Sequence, residues 1–407
     1  MVDKMGKRLL NGLKYWSQLL LLPVYGLLCL MPRDKKLWVF GSTFGRRFAD
    51  NPKYLYLYLS QYKSQQLRAV WVSKSREIVE FLQDNSLEAY YLYSFSGVWN
   101  SLRAGVYFYD NYPKDISYVL SGGALKINLW HGIPLKKIQK DNVFDYFRNP
   151  RGFWEWFHAI PRCISDEKPS HYILSTSKSL KPIFASAFRT KHVLVEGYPR
   201  NDILLSKTIK NVLTVKEQRE YKKLQSARHR NRIALYMPTF RDSETGFFEI
   251  INKTRLESFL IKEGYLLCVK LHPKSKQQVL WKDWSCEGVL LLDALSDPYC
   301  FLPLADVLIT DYSSIYFDFL LAKKPVIFFP YDYKEYISES RELYFCYEDY
   351  TPGPKVYNQE ELEDALRYME DIGEKYESIA NRVFDTQKPE ASERLYNKVA
   401  KLLNINQ

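Results

Sequence analysis

From residue 37 to residue 329 the chain alternates short apolar runs with stretches of helical periodicity. The runs fall at 37–40, 69–72, 106–109, 127–130, 172–174 and 193–195, and again at 233–237, 265–271, 289–292, 307–310 and 326–329. Apolar runs this continuous, each followed by a helix, predict parallel sheet covered on both faces. Between the two sets, residues 207–232 are polar and strongly basic, which predicts a helix and linker joining two domains. The expected fold class is α/β, with two Rossmann-like domains facing a central cleft. In such sheets ligands gather beyond the carboxyl ends of the strands. The expected divisions are a segment at 1–35, domains at 36–205 and 206–385, and a C-terminal helix at 386–407.

The first segment follows a different pattern. Lys4, Lys7, Arg8, Asn11, Lys14 and Gln18 recur at three- or four-residue steps, with Leu9, Leu10, Leu13, Trp16 and Leu20 on the other side. The apolar run at 19–31 is broken by Pro23 and Gly26 and is shorter than the roughly 18–20 residues that span a bilayer. No small-residue cleavage site follows it. The prediction is an amphipathic segment lying in the membrane interface, its lysines on anionic lipid.

Composition adds a partner class. Lys and Arg total 58 against 47 Asp and Glu, a net charge of +11, which favours an anionic partner. Hydrophobic residues at 46% and charged residues at 26% exclude a wholly disordered chain. No two of the six cysteines form a Cys-x-x-Cys pair, so zinc-ribbon and thioredoxin readings fail, and a reducing compartment fits.

The candidate chemistry lies at the predicted strand ends. Trp130-His131-Gly132-Ile133-Pro134-Leu135-Lys136-Lys137 puts a histidine after one strand, where it can take a proton near neutral pH, with lysines following that can hold phosphate. Lys270-Leu271-His272-Pro273 repeats the pattern in the second domain. Thr310-Asp311-Tyr312-Ser313-Ser314 ends a third strand; Asp311 or Ser313 can cap the next helix, whose first amides and serine hydroxyls suit an anion. Arg200 in Gly197–Asp202 and Arg241 in Met237–Asp242 can pair with phosphate. His158, His171, His192 and His229 have no ligand-like spacing. No metal motif, glycine-rich phosphate loop or nucleic-acid module is present, so neither metal, cofactor nor nucleic acid is expected.

Together these strings resemble the CDP-glycerol glycerophosphotransferase family, which makes teichoic acids and related capsule polymers. The segments that carry the likeness are 128–137, 197–202, 237–242, 270–273 and 306–330. The resemblance implies a GT-B fold, with an N-terminal acceptor domain and a C-terminal domain that binds CDP-glycerol. It implies catalysis by His131 and His272 and puts Ser313 and Ser314 at the donor phosphates; Lys136, Arg200, Arg241, Asp311 and Asp318 are expected as further substrate contacts. Family members often have Thr where Ile133 stands, so that hydroxyl contact is lost here. The short N-terminal segment suggests the primase type: transfer of glycerol phosphate to an undecaprenyl-diphosphate-linked disaccharide (N-acetylmannosaminyl-N-acetylglucosamine) with release of CMP. Its location would be the cytoplasmic face of the cell membrane, on an anionic surface and beside other teichoic acid enzymes. The alternatives are a poly(glycerol or ribitol phosphate) polymerase and a sugar-nucleotide glycosyltransferase of the same fold.

Overall fold

The computed structural model describes residues 16, 17, 19–145, 147–164, 168–206, 209–241, 246–275, 277–284, 286–333, 336, 342–369 and 373–405. The chain is α/β and forms two compact units. The first comprises the described residues of Met1–His131, Ile138–Asp202 and Glu390–Gln407; the second comprises Gly132–Lys137 and those of Ile203–Pro389. The C-terminal helix Ala391–Leu403 therefore belongs with the first unit, and the six residues after His131 belong with the second.

The first unit is built on a seven-stranded parallel sheet: β1 (Asp34–Phe40), β2 (Arg68–Ser73), β3 (Ala89–Tyr91), β4 (Ala104–Tyr109), β5 (Leu125–Asn128), β6 (Tyr172–Ser175) and β7 (Val193–Val195). The strand order is β3-β2-β1-β4-β5-β6-β7. The central strands are apolar on both faces because both are covered, and Trp38, Phe40, Trp71, Tyr107 and Phe108 are buried. Helix Asp50–Tyr62 is buried along nearly its whole length, including Lys53, which finds the rings of Phe48 and Tyr54. The Ala391–Leu403 helix packs beside it, with Tyr396 5.9 Å from the Trp38 ring. The three-residue β3, Ala89-Tyr90-Tyr91, was missed in the sequence.

The second unit begins where the sequence turns polar. Helix Val215–Ala227 opens with a capping box: Thr214 Oγ1 accepts the Glu217 amide at 3.3 Å, and Glu217 accepts the Thr214 amide at 2.8 Å. Its sheet holds β8 (Arg232–Tyr236), β9 (Tyr265–Val269), β10 (Val289–Leu291), β11 (Val307–Thr310) and β12 (Val326–Phe328), all parallel, in the order β10-β9-β8-β11-β12. Trp281, Phe247, Phe259 and Tyr236 fill the core on one face.

Each sheet reverses its strand order once, between β1 and β4 in the first unit and between β8 and β11 in the second. Such switch points open a crevice at the carboxyl ends, where the loops diverge to opposite faces.

The basic stripe expected at 4–14 lies outside the described residues, as does Gln18. Helix Leu22–Leu28 is described; Leu20, Leu27 and Leu30 at and around it are largely exposed, and Tyr25 stacks on Tyr118. Among the described residues no helix is long and apolar enough to cross a membrane.

Candidate active site

His131 stands beyond β5, and the chain is turned out of the strand to present it. Leu129 keeps the last ladder bond, its amide 2.7 Å from the Tyr109 carbonyl. Trp130 then takes φ +52°, a left-handed conformation costing a bulky residue about 1–3 kcal/mol. Side-chain bonds offset it: Asn51 Nδ2 donates to the Leu129 and Trp130 carbonyls at 3.2 and 2.9 Å, and Asn128 Oδ1 accepts the Trp130 amide at 2.8 Å. The exposed His131 ring packs on Trp130, with centroids 3.9 Å apart. Its Nδ1 lies 3.1 Å from the Asp110 carbonyl. A carbonyl only accepts, so Nδ1 carries the proton and the neutral ring presents a bare Nε2. That is the form of a proton acceptor.

Around it lies a buried carboxylate group that the sequence reading missed. Asp110 follows β4 at the switch point, where it accepts the Ser42 hydroxyl at 2.6 Å and the Thr43 amide at 3.0 Å. Asp115 accepts the Phe44 and Asn111 amides at 2.7 and 2.8 Å; burial and the neighbouring Asp110 push its carboxyl well up. Gly45, at φ +79°, lets the β1 loop lie against this turn: a Cβ there would be 2.7 Å from the Asp115 carbonyl. Burial likewise raises Asp50, against the pull of Arg200, whose Nη1 it meets at 2.8 Å. The strand-end rule applied to β4 would have found Asp110 as readily as it finds His131 after β5; Asp50 has no such signal.

Arg200 is thus buried in an ion pair with Asp50. In the same Gly197–Asp202 stretch, Asp202 caps the C-terminal helix by accepting the amides of Ala391 and Ser392 at 2.8 and 2.9 Å. This string holds the two ends of the first unit's chain together.

In the second unit, β9 ends at Val269, earlier than the expected run, and His272 follows three residues on. Lys270 is buried, donating from Nζ to the Ala294 carbonyl at 2.8 Å. His272 is exposed beside the Phe240 ring, at 5.4 Å. Its Nδ1 accepts the Lys274 amide at 3.2 Å, so in the neutral ring the proton is on Nε2. A small pocket lined by Thr239, Phe240, Arg241, His272 and Tyr331 opens there.

At this unit's switch point, Asp311 after β11 meets the loop after β8. It accepts the Thr239 amide at 2.9 Å and pairs with Arg241 at 2.7 Å. Burial alone would raise the Asp311 carboxyl, but Arg241 and Thr239 outweigh it and hold it below the usual carboxylate range. Arg241 also pairs with Asp332, which accepts the Tyr312 hydroxyl at 3.0 Å. Tyr312 stacks on Tyr336 at 3.9 Å, and Tyr336 accepts Lys136 Nζ at 3.1 Å. Lys136, Arg241 and Asp311 are therefore linked through Tyr336, Tyr312 and Asp332, and Tyr312 directly precedes Ser313 and Ser314 in the chain. The helix begins at Ile315 with Ser314 as its N-cap and no side-chain cap bond, so the expected cap by Asp311 or Ser313 does not form; Asp311 turns to Thr239 and Arg241 instead. Asp318 is buried and accepts the Tyr299 hydroxyl. Asp242 lies outside the described residues. Ile133 is fully buried. Among the described residues no cluster of His, Cys, Asp or Glu has metal-ligand geometry.

Two parallel α/β units, each with polar side chains gathered at its switch point and a histidine beyond a neighbouring strand, have the parts that group transfer needs. Residues 24–401 match the CDP-Glycerol:Poly(glycerophosphate) glycerophosphotransferase family, and the chain belongs to it. It is a CDP-glycerol glycerophosphotransferase, as the resemblance implied. It is 30% identical over 372 residues to a teichoic acid glycerol-phosphate transferase of Staphylococcus aureus, covering 86% of this chain and 88% of that protein. It is 29% identical over 353 residues to a teichoic acid poly(glycerol phosphate) polymerase of Bacillus spizizenii, covering 84% and 86%. The solved wall teichoic acid polymerase TagF shares the fold, with a TM-score of 0.70 at 23% identity over 99% of this chain and 98% of that one.

Proposed function

We propose that this enzyme primes wall teichoic acid, transferring glycerol phosphate from CDP-glycerol to a hydroxyl of an undecaprenyl-diphosphate-linked N-acetylmannosaminyl-N-acetylglucosamine. The observation that carries the chemistry is the pair of opposite ring contacts, His131 Nδ1 on the Asp110 carbonyl and His272 Nδ1 on the Lys274 amide. The acceptor oxygen attacks the phosphorus bearing the glycerol while His131 Nε2 takes its proton. The bond from that phosphorus to the bridging oxygen breaks, and CMP leaves with the bridging oxygen. His272 Nε2–H, Ser313 and Ser314 donate to the phosphate oxygens as charge shifts onto the leaving group. Arg241, Asp311 and Lys136 hold the serine turn in place, Arg200 supports the His131 loop through Asp50, and Asp318 anchors the following helix. A GT-B arrangement, the first unit serving the acceptor and the second the donor, fits these roles.

Transfer of glycerol phosphate is supported by the similarity to the S. aureus teichoic acid glycerol-phosphate transferase over most of both chains. The near-equal match to the B. spizizenii polymerase supports a second reading, processive polymerisation. Purified enzyme with CDP-glycerol and a short-chain lipid disaccharide, followed by mass spectrometry, separates them: one added glycerol phosphate means priming, a ladder means polymerisation, and no CMP release overturns both. Residues 1–35 hold the enzyme peripherally on the cytoplasmic face of the membrane. Deletion of 1–31 is expected to abolish pelleting with anionic vesicles, and unchanged pelleting would remove that role.

A further inference from the structure

A cavity of about 250 Å³ in the first unit reaches Asn128, the last residue of β5 and three residues before His131. Asn111 and Asn128 line it. Asn128 Nδ2 donates to the Asn111 carbonyl at 3.0 Å, and Asp110, the residue before Asn111, carries the carbonyl that fixes His131. Phe188 in the cavity wall packs edge-on against the Trp130 ring, at 4.7 Å.

The cavity is cationic. Lys140, Lys168 and Arg189 line it. Among the described residues the carboxylate facing them is Asp141, 3.9 Å from Arg189 and already accepting the Ser186 hydroxyl at 2.8 Å; nearby Asp145 is bound to Arg148. More positive charge stands behind. Lys126 is buried, its Nζ donating to the Ser121 and Ala124 carbonyls. His171, which accepts the Lys126 amide at 2.9 Å, is pushed down to about 4 by burial and then by Lys126 and Lys168.

Exposed apolar side chains lie on the elements that carry the cavity wall. Cys163, in the cavity wall, belongs to helix Phe153–Ile164, whose Phe153, Trp154 and Trp156 are more than half exposed. Lys168 stands 5.4 Å from the ring of Tyr25 in helix Leu22–Leu28, whose neighbours Leu20 and Leu30 are also exposed. Apolar surface, cationic cavity and proton-accepting histidine thus follow one another within a single unit.

We propose that this cavity holds a phosphate group of the acceptor, with Lys168 and Arg189 as its principal cations. The proposal rests on the transferase reading, since it gives the acceptor's anion a place beside the base. The same chemistry has two sources: the diphosphate joining sugar to lipid in an unprimed acceptor, or the phosphodiester of a glycerol phosphate already added.

Binding to the full-length protein tests this without turnover. Calorimetry would use a short-chain lipid-diphosphate disaccharide, the same disaccharide as a neutral alkyl glycoside extended by one glycerol phosphate, and the unextended neutral glycoside. The double variant Lys168→Gln/Arg189→Gln is expected to weaken binding of the anionic ligands at least about tenfold, the scale of one lost charged hydrogen bond, while CDP-glycerol affinity stays unchanged. The charge-keeping Lys168→Arg/Arg189→Lys pair is expected to retain most of the affinity. A larger loss for the diphosphate identifies the lipid linkage; a larger loss for the extended glycoside identifies the polymer phosphodiester. Unchanged affinity for both anionic ligands, or an equal loss for the neutral glycoside, would overturn the proposal. Absent CMP release from CDP-glycerol would overturn the transferase reading instead, and the binding result stands apart from it.

Discussion

His131 and His272 occupy matching places, each just beyond the carboxyl end of a parallel strand, and yet they carry their protons on opposite nitrogens. The Asp110 carbonyl forces the proton onto Nδ1 of one; the Lys274 amide forces it off Nδ1 of the other. The first ring offers a lone pair and the second a donor. Their surroundings differ in the same way. The first unit holds a buried carboxyl, Asp115, that burial and the neighbouring Asp110 raise toward the neutral form. The second neutralises its own, Asp311, with a buried arginine. One strand-end position can therefore serve either half of a phosphoryl transfer, depending on which backbone group reaches the ring.

The sharpest way to break this contrast is to remove each ring. His131→Ala and His272→Ala are each expected to lower turnover by about two to four powers of ten. The difference lies in the donor: CDP-glycerol binding should survive His131→Ala and weaken in His272→Ala. Near wild-type kcat in both, or equal binding losses, would end the division of roles.

The carboxyls come next. Asp311→Asn leaves Arg241 buried with half its counter-charge gone and should cost about 3–5 kcal/mol. Asp115→Asn replaces a carboxyl already pushed toward neutrality and should cost about 1–2 kcal/mol, the scale of one weakened hydrogen bond. Urea unfolding of both variants checks the order, and equal costs would show that the two environments do not differ.

Acid should separate the units in the same sense. Asp311, depressed in the fold, contributes stability that is present above the ordinary carboxyl value of 3.8 and lost as pH falls through its folded value. Asp115, raised in the fold, works oppositely: it costs stability above its raised value, and that cost disappears as pH falls toward 3.8. Amide exchange followed from about pH 7 to about pH 3 should find the Asp311 neighbourhood losing protection, relative to that of Asp115, as pH drops. A constant ratio would contradict the opposite shifts.

The smallest expected effect concerns the serine turn. Ser313→Ala and Ser314→Ala should each weaken CDP-glycerol binding by roughly 1–3 kcal/mol, since a hydroxyl bonded to charged phosphate is lost. Calorimetry decides: unchanged affinity in both would move the phosphate contact to His272 and the surrounding loop amides.

The apolar runs by themselves determined the parallel α/β class, because a strand covered on both faces has to be apolar at every position. They located eleven of the twelve strands, missing the three-residue β3. They also placed both histidines and the serine turn beyond strand ends, since parallel sheets bring ligands there. What those residues do with their protons was decided only by folding. Asp110 is 21 positions from His131 and meets it because β4 and β5 pair in parallel. Asn51, which turns Trp130 out of the strand, comes from a helix almost eighty residues earlier in the chain. Lys136, five residues after the histidine, packs with Tyr336 of the second unit, and Asp202 caps a helix 189 positions away. Apolar periodicity is a local property of the chain, whereas a hydrogen-bond partner is chosen by whatever the folded backbone brings within about 3 Å.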